Sequence, residues 1–364
     1  MFSYVIPTAG NSLFFILFLY IFLLWILDFK SIKKYYNKPL LYFTWFGLCY
    51  VFLSFTGFFS LIFDIPIDRS YIFRQSFFIP FLLMAIPVFA RSFEMGIFNY
   101  LMKRRLILVI ATWLLLPGGA GVLLYVTIII LSINNHLIGF FVFLAIFIID
   151  GGFSTSMQEF LMQVIMFIYF ITRIRINIKF LTLFISTCII ALYFVPENIF
   201  LLFTQIDSNM GWRLTFWLDN IRTTINDTYL FGHGFGTPYF GIEGSQSGLL
   251  IPLRITDDTL RQWGGSTYIA QYVLPNHNSF INAFYRLGII GLLFFLAYFT
   301  SIAKSIKIFS APYQINYLLL LSMLFIGVNV GLESPRFAMR FVFIIGLSQY
   351  IVFEYYKTYL INDY

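Results

Sequence analysis

The chain is poor in charged residues and in cysteine. Only 11% of its 364 residues are Asp, Glu, Lys or Arg, whereas 60% are hydrophobic and the mean hydropathy is +0.85. A soluble domain carries about a quarter charged residues, so this composition argues against one. The two cysteines, Cys49 and Cys188, lie inside apolar runs without metal-ligand spacing, which favours inert core cysteines over a metal site.

The basic residues lie at the ends of apolar runs. The formal net charge is +7, but clusters such as 103–105 and 173–179 are placed as in a membrane protein, where they set orientation. We therefore do not expect a nucleic-acid partner. Placing the lysines in the cytoplasm leaves only arginines on the outside, which suits bidentate recognition of phosphate.

Apolar runs long enough to cross a bilayer recur along the chain. We predict an all-α polytopic membrane protein of about eleven spans (about ten to twelve), with the N-terminus outside and the C-terminus inside. The predicted regions are an N-terminal membrane bundle (1–195), one extracytoplasmic loop (196–276) and C-terminal spans (277–364). The predicted spans are 11–28, 40–63, 76–91, 106–117, 120–133, 137–150, 157–172, 180–196, 278–303, 315–332 and 341–356.

The 196–276 loop is rich in aromatic residues, which predicts a folded lid and not a disordered segment. Its residues 212–226 have the period of an amphipathic helix, with Leu214, Leu218, Ile221 and Ile225 on one face. A glycine-rich turn follows at 231–238. Such a turn can cradle an anion through its backbone amides, although tight turning alone also explains it.

Several polar residues have simpler explanations than catalysis. Asp257 and Asp258 could bind a cation, but a solvated acidic pair is the better interpretation. His233 is interpreted as a turn residue. Arg286 falls about two turns into a predicted span, so we expect it to face the protein interior or to reach outward to head groups.

The pair His277-Asn278 lies where the long loop meets a long apolar run, with Gly288 and Gly291 downstream. An imidazole at a membrane boundary suits proton transfer on a lipid-attached substrate. This spacing, Arg213 and Trp217 ahead of the glycine turn, and the order of bundle, loop and closing spans resemble the O-antigen ligase/polymerase family. The resemblance covers residues 150–364. It departs from the family at Met157, where an arginine is expected. Arg74, Arg222 and Arg336 are candidate replacements.

The resemblance implies a metal-independent, cofactor-free membrane glycosyltransferase of the cytoplasmic (inner) membrane, active on its outer face. It would polymerise undecaprenyl-pyrophosphate-linked oligosaccharide repeats for O-antigen, capsule or exopolysaccharide. A ligase acting on lipid A-core and, from another class, a lipid-linked oligosaccharide flippase stay as alternatives. The expected partners are lipid-linked donor and acceptor, membrane lipid and a chain-length regulator. The expected catalytic residues are His277 and Arg213, with substrate contacts from Asn278, Arg222, Trp217, Gly234, Gly236 and Arg336.

Overall fold

The structure is a computed structural model, and it describes residues 10–97, 208–239 and 278–308, together with residues 187, 190, 194, 272, 345, 346, 349 and 350. Every regular element within these residues is helical. The helices are α1 (Gly10–Leu27), α2 (Phe29–Ile32), α3 (Lys38–Thr56), α4 (Phe58–Phe63), α5 (Arg69–Ser76), α6 (Phe78–Ser92), α7 (Ser208–Asn226) and α8 (Ser279–Ile308).

Three helical segments are long and apolar enough to cross a membrane: Lys38–Thr56, Arg69–Gly96 and Ser279–Tyr298. They confirm the prediction of a helical membrane protein for the described part of the chain. Most of the other predicted spans lie outside the described residues, so the predicted number of spans stays a prediction. The predicted span at 76–91 starts earlier in the structure, because α5 leads into α6 with hardly a break.

The predicted span 40–63 is divided at Gly57. Asn37 caps the start of α3 by accepting a hydrogen bond from the Leu40 amide, and a proline follows in the first turn. Gly57 ends the helix with a left-handed backbone (φ 78°). The last six residues of the predicted span therefore form the separate short helix α4.

Helices α3 and α8 pack against each other in opposite directions. Asn37, before α3, donates to Ser301 near the end of α8 at 3.2 Å, while Phe43 meets Phe295 at a ring-centroid distance of 5.3 Å. The opposite end of α3 reaches Phe231, whose carbonyl accepts from the Tyr50 hydroxyl at 2.7 Å. Cys49 is exposed on α3, so its predicted place in a core is wrong.

The described helices thus have two distinct ends. We call the end near Asn37 and Ser301 the basic end, because Lys34 and Arg91 lie there. Arg91 forms ion pairs with Asp28 at 2.7 Å and with Glu94 at 2.6 Å, and Lys34 also reaches Glu94. The other end carries residues 228–239, which include the glycine-rich turn 231–238. We call residues 228–239 the glycine turn and this end of the helices the turn end.

Candidate functional site

Helix α8 is broken near its start, and the glycine turn fills the break. At Gly288 the backbone leaves helical geometry (φ 66°, ψ −164°). The Tyr285 and Arg286 carbonyls accept from the His233 and Gly234 amides at 2.8 and 2.9 Å, and the Ile289 amide donates to the Leu230 carbonyl at 2.9 Å. Backbone amides and carbonyls that lose their helical hydrogen bonds at the break are thereby paired with the glycine turn. Buried backbone groups require such partners.

Two glycines permit this close approach. A side chain on Gly232 would collide with the Gly288 amide, and one on Gly288 would collide with the Leu230 and Phe231 carbonyls. Both residues also have positive φ, which favours glycine. Gly288 therefore serves the close packing of the glycine turn against α8.

Gly234 and Gly236 serve packing in this structure as well. A Cβ on Gly234 would collide with the Phe59 ring, and one on Gly236 with the Asp68 carbonyl and Ile72. The five amides from 232 to 236 all donate to protein acceptors: Thr228 Oγ1, the Tyr285 and Arg286 carbonyls, Ser54 Oγ and Gln75 Oε1. The expected cradling of an anion by this turn is therefore corrected, because these donors are already used.

Arg286 is fully buried against the glycine turn, which confirms the interior alternative. Its Nη1 donates to the carbonyls of Gly234 at 3.2 Å and Thr237 at 3.0 Å, and to the Thr237 hydroxyl. The guanidinium also lies 4.0 Å above the centre of the Tyr239 ring. Arg286 thus fixes the glycine turn to the head of α8.

His233 stacks on Tyr285 with a centroid distance of 4.2 Å. Its side chain is fully buried, and within the described part of the chain neither ring nitrogen has a hydrogen-bond partner. Burial, followed by the nearby Arg286 charge, lowers the pKa of His233 to about 3. The imidazole is therefore neutral at physiological pH, which agrees with its interpretation as a turn residue.

Helix α7 matches the predicted helix 212–226 at its C-terminal end, but it is buried on two sides. Leu218 and Ile221 of the predicted apolar face are buried. Across the helix, a second buried face at helical spacing carries polar residues and points toward the glycine turn and α8. This face consists of Phe216 and of the polar residues Asp219, Asn220 and Thr223, and we call it the polar face.

The polar face of α7 contacts Tyr239. Asn220 Nδ2 donates to the Tyr239 carbonyl at 3.2 Å, and the Phe216 ring meets the Tyr239 ring edge-on. Asp219 is only 2% exposed. Burial is the largest cause, and the Asp227 carboxylate the next, of a rise in the Asp219 pKa to about 7, against a smaller lowering by Arg222.

The head of α8 presents a matching polar stripe. Asn278 caps the helix, because its Oδ1 accepts from the Phe280 and Ile281 amides at 3.0 and 3.1 Å. One turn later, Asn282 Oδ1 accepts from the Tyr239 hydroxyl at 3.2 Å, and Tyr285 and Arg286 continue the stripe. We call the region where this stripe and the polar face of α7 meet around Tyr239 the polar seam.

The predicted site residues are only partly brought together. Asn278 lies at the start of the stripe, where its Oδ1 caps the helix. Trp217 is buried. Arg213 and Arg222 are nine residues apart on one helix, so they project about 180° from each other and are about 13 Å apart along the axis. This spacing on an ideal helix is unfavourable for a clamp in which both arginines bind one phosphate.

His277, Arg336 and the pair Asp257-Asp258 lie outside the described residues. Within the described ranges, no three His, Cys, Asp or Glu residues lie close enough to hold a metal ion.

Sequence reasoning missed Asp219, Asn282 and Tyr239. Asn282 follows Asn278 by one helical turn within an apolar run, and this polar spacing was the available signal. Asp219 gave no signal, because a carboxylate on an amphipathic helix is usually solvated.

Comparison of the chain with protein-family models, curated protein sequences and solved structures gives no match. The family resemblance described above therefore stays an expectation.

Proposed function

We propose that this chain is a membrane glycosyltransferase that polymerises undecaprenyl-pyrophosphate-linked oligosaccharide repeats on the outer face of the cytoplasmic membrane. The main support for this proposal is the polar seam. It joins the arginine-bearing helix α7, the glycine turn and the head of α8, and His277 directly precedes the residue that caps α8. Buried polar groups at the end of a membrane span are expensive and usually serve function.

The chemistry requires two kinds of group. The hydroxyl of an acceptor sugar attacks the anomeric carbon of the donor, and undecaprenyl pyrophosphate leaves with the bonding electron pair. Arginine stabilises the departing phosphate without a metal, and Arg213 is proposed for this role. His277 either accepts the hydroxyl proton or orients the acceptor.

Of the alternative functions, a flippase gains support from one observation. Discontinuous helices line the binding sites of many transporters, and α8 is discontinuous at Gly288. The break, however, is filled by the glycine turn through three backbone hydrogen bonds, and the sequence shows no internal repeat. We therefore favour the enzyme. The ligase shares the same chemistry and differs only in its acceptor.

The test compares glycan chain length in a deletion strain carrying each variant, normalised to membrane protein level. His277→Ala should reduce polymer by about two to four orders of magnitude. His233→Phe is the matched histidine control, because phenylalanine keeps the stack on Tyr285 and leaves no unpaired nitrogen. It should retain near-normal polymer.

Arg213→Lys separates a phosphate clamp from a membrane anchor. Lysine keeps the charge but loses the planar fork, so polymer should fall strongly if Arg213 grips two phosphate oxygens. An anchoring residue would tolerate lysine, which snorkels equally well. Normal polymer from both His277→Ala and Arg213→Lys would refute the proposed enzyme. Polymer left on the lipid carrier would indicate a ligase defect, whereas single repeats on the final acceptor would indicate a polymerase defect.

A further inference from the structure

Asp219 is a buried carboxyl for which the proposed chemistry has so far no use. It lies in the middle of α7, away from the helix ends where a carboxylate would act as a cap. Its side chain is 2% exposed, and Oδ2 has no hydrogen-bond partner among the described residues. An unsatisfied buried acceptor is unfavourable for folding. Such a group at a site is a candidate for proton exchange.

Polar contacts connect the face of α7 that carries Asp219 to the head of α8. The neighbouring Asn220 donates to the Tyr239 carbonyl, and the Tyr239 hydroxyl donates to Asn282. Asn278, Asn282 and Tyr285 follow one another at helical spacing from the cap of α8 inward. Tyr285, at the inner part of this stripe, interacts electrostatically with Asp219. Asn282 Nδ2, midway along the stripe, also lacks a hydrogen-bond partner in the ranges that the structure describes. A hydroxyl group can donate to a carboxylate and accept from an amide, so sugar hydroxyls fit these two atoms.

The charged and titratable groups around Asp219 come from three elements. On α7 and just after it, the Arg222 guanidinium favours the carboxylate and the Asp227 carboxylate opposes it. On α8, Tyr285 interacts electrostatically with both Asp219 and Tyr272. The rings of His233 and Tyr239 stack on Tyr285, and the Arg286 guanidinium lies over the Tyr239 and Tyr285 rings. Of these, His233 stays neutral at physiological pH, because its pKa is about 3.

We propose that Asp219 takes up the proton which the acceptor hydroxyl loses during transfer, an inference that rests on the proposed function. The O–H bond breaks as the oxygen bonds to the anomeric carbon, and the carbon–oxygen bond to pyrophosphate breaks with its electrons on the leaving group. The proton ends on Asp219 Oδ2. His277 then has the acceptor-orienting role.

The experiment measures initial rates of polymer formation by purified protein in proteoliposomes with lipid-linked repeat units, between about pH 5 and pH 9. The wild-type rate should rise with pH through a step near 7, because only the carboxylate accepts a proton. Asp219→Asn should lower the rate by about two to four orders of magnitude and abolish the step. His277→Ala should keep the step in its residual rate.

Asp227→Asn is the matched carboxyl control. It should keep most of the rate and move the step to lower pH, because the Asp227 charge raises the Asp219 pKa. If Asp219→Asn does not accumulate, Asp219→Glu replaces it. A changed step midpoint in Asp219→Glu supports the inference, and an unchanged midpoint overturns it.

Two outcomes would overturn the inference while leaving the proposed function standing: an unchanged step in Asp219→Asn, or loss of the step in His277→Ala alone. An inactive wild type would instead refute the proposed function. Infrared difference spectra of wild type against Asp219→Asn need no substrate. They should show a protonated carboxyl band that disappears near pH 7, and a carboxylate already ionised at pH 5 would contradict the proposed role.

Discussion

The polar and charged side chains at the two ends of the described helices are in opposite environments. At the basic end, charged side chains neutralise each other, and their exposed fractions lie between 23% and 40%. At the turn end, polar groups are buried, and several atoms have no hydrogen-bond partner in the described contacts. These groups are Asp219, Asp227, His233 and Asn282.

The difference has an energetic meaning. Partly exposed ion pairs contribute about 0–1 kcal/mol each to the free energy of unfolding. The ion pairs of the basic end therefore hold α6 and the residues after α1 together only weakly. Burying unpaired polar groups costs free energy instead. The turn end gives up stability that a purely structural region would keep, which is the usual mark of a functional site.

The largest effect should come from the backbone junction at the turn end. We expect Gly288→Ala to destabilise the protein by several kcal/mol, because the added Cβ would collide with the Leu230 and Phe231 carbonyls. Its φ and ψ also lie in a region that is essentially restricted to glycine. Membrane accumulation and the melting temperature in detergent measure the loss.

Gly57→Ala is the matched control for this prediction. Gly57 also has positive φ, but nothing lies within 4 Å of the position of an added Cβ. It should lose only about 1–2 kcal/mol from left-handed strain. Equal losses from the two variants would mean that the junction between the glycine turn and α8 contributes nothing beyond local strain.

The sequence predicted the elements of the turn end better than their junction. The helix of α7, its apolar face and the glycine-rich turn after it were readable from periodicity and composition. The hydrogen bonds of His233 and Gly234 to α8 were not, because they join residues about fifty positions apart through backbone atoms. Backbone pairing of this kind leaves no trace in side-chain patterns.

Asp219 and Arg222 show a second limit. Periodicity placed the apolar face of α7 correctly, but it says nothing about what covers the opposite face. Arg222 was expected to help replace a missing arginine, yet helical geometry turns it away from Arg213. Asn278 shows the reverse case, since a cap at the start of an apolar run is a local signal that a simple helix-start rule explains.

An intermediate effect is expected from Asp219→Asn, and it should be a gain of stability. The pKa of Asp219 is about 7 in the folded protein and about 3.9 when unfolded. The folded state therefore binds more protons between these values, so wild-type stability falls as pH rises from about 4 to 7. Asparagine does not titrate and avoids this loss.

The gain should reach a few kcal/mol above about pH 7 and shrink toward pH 4. Melting temperatures of the wild type and of Asp219→Asn in detergent, recorded across this range, measure it. Curves that stay parallel at all pH values would show that Asp219 is already ionised at no cost, which would remove the contrast between the two ends.

The smallest effect should come from the basic end. Glu94 accepts from Arg91, Lys34 and the Tyr35 hydroxyl. The two cationic partners are partly exposed, and Arg91 keeps its bond to Asp28 when Glu94 is changed. Glu94→Gln should therefore lower stability by about 1 kcal/mol or less, with a smaller difference at high salt. Polymer formation should stay near normal.

Melting temperature at two ionic strengths and glycan chain length in the deletion strain test this directly. Loss of polymer at normal protein level would place function at the basic end too, and the interpretation of its ion pairs as a structural clasp would be wrong.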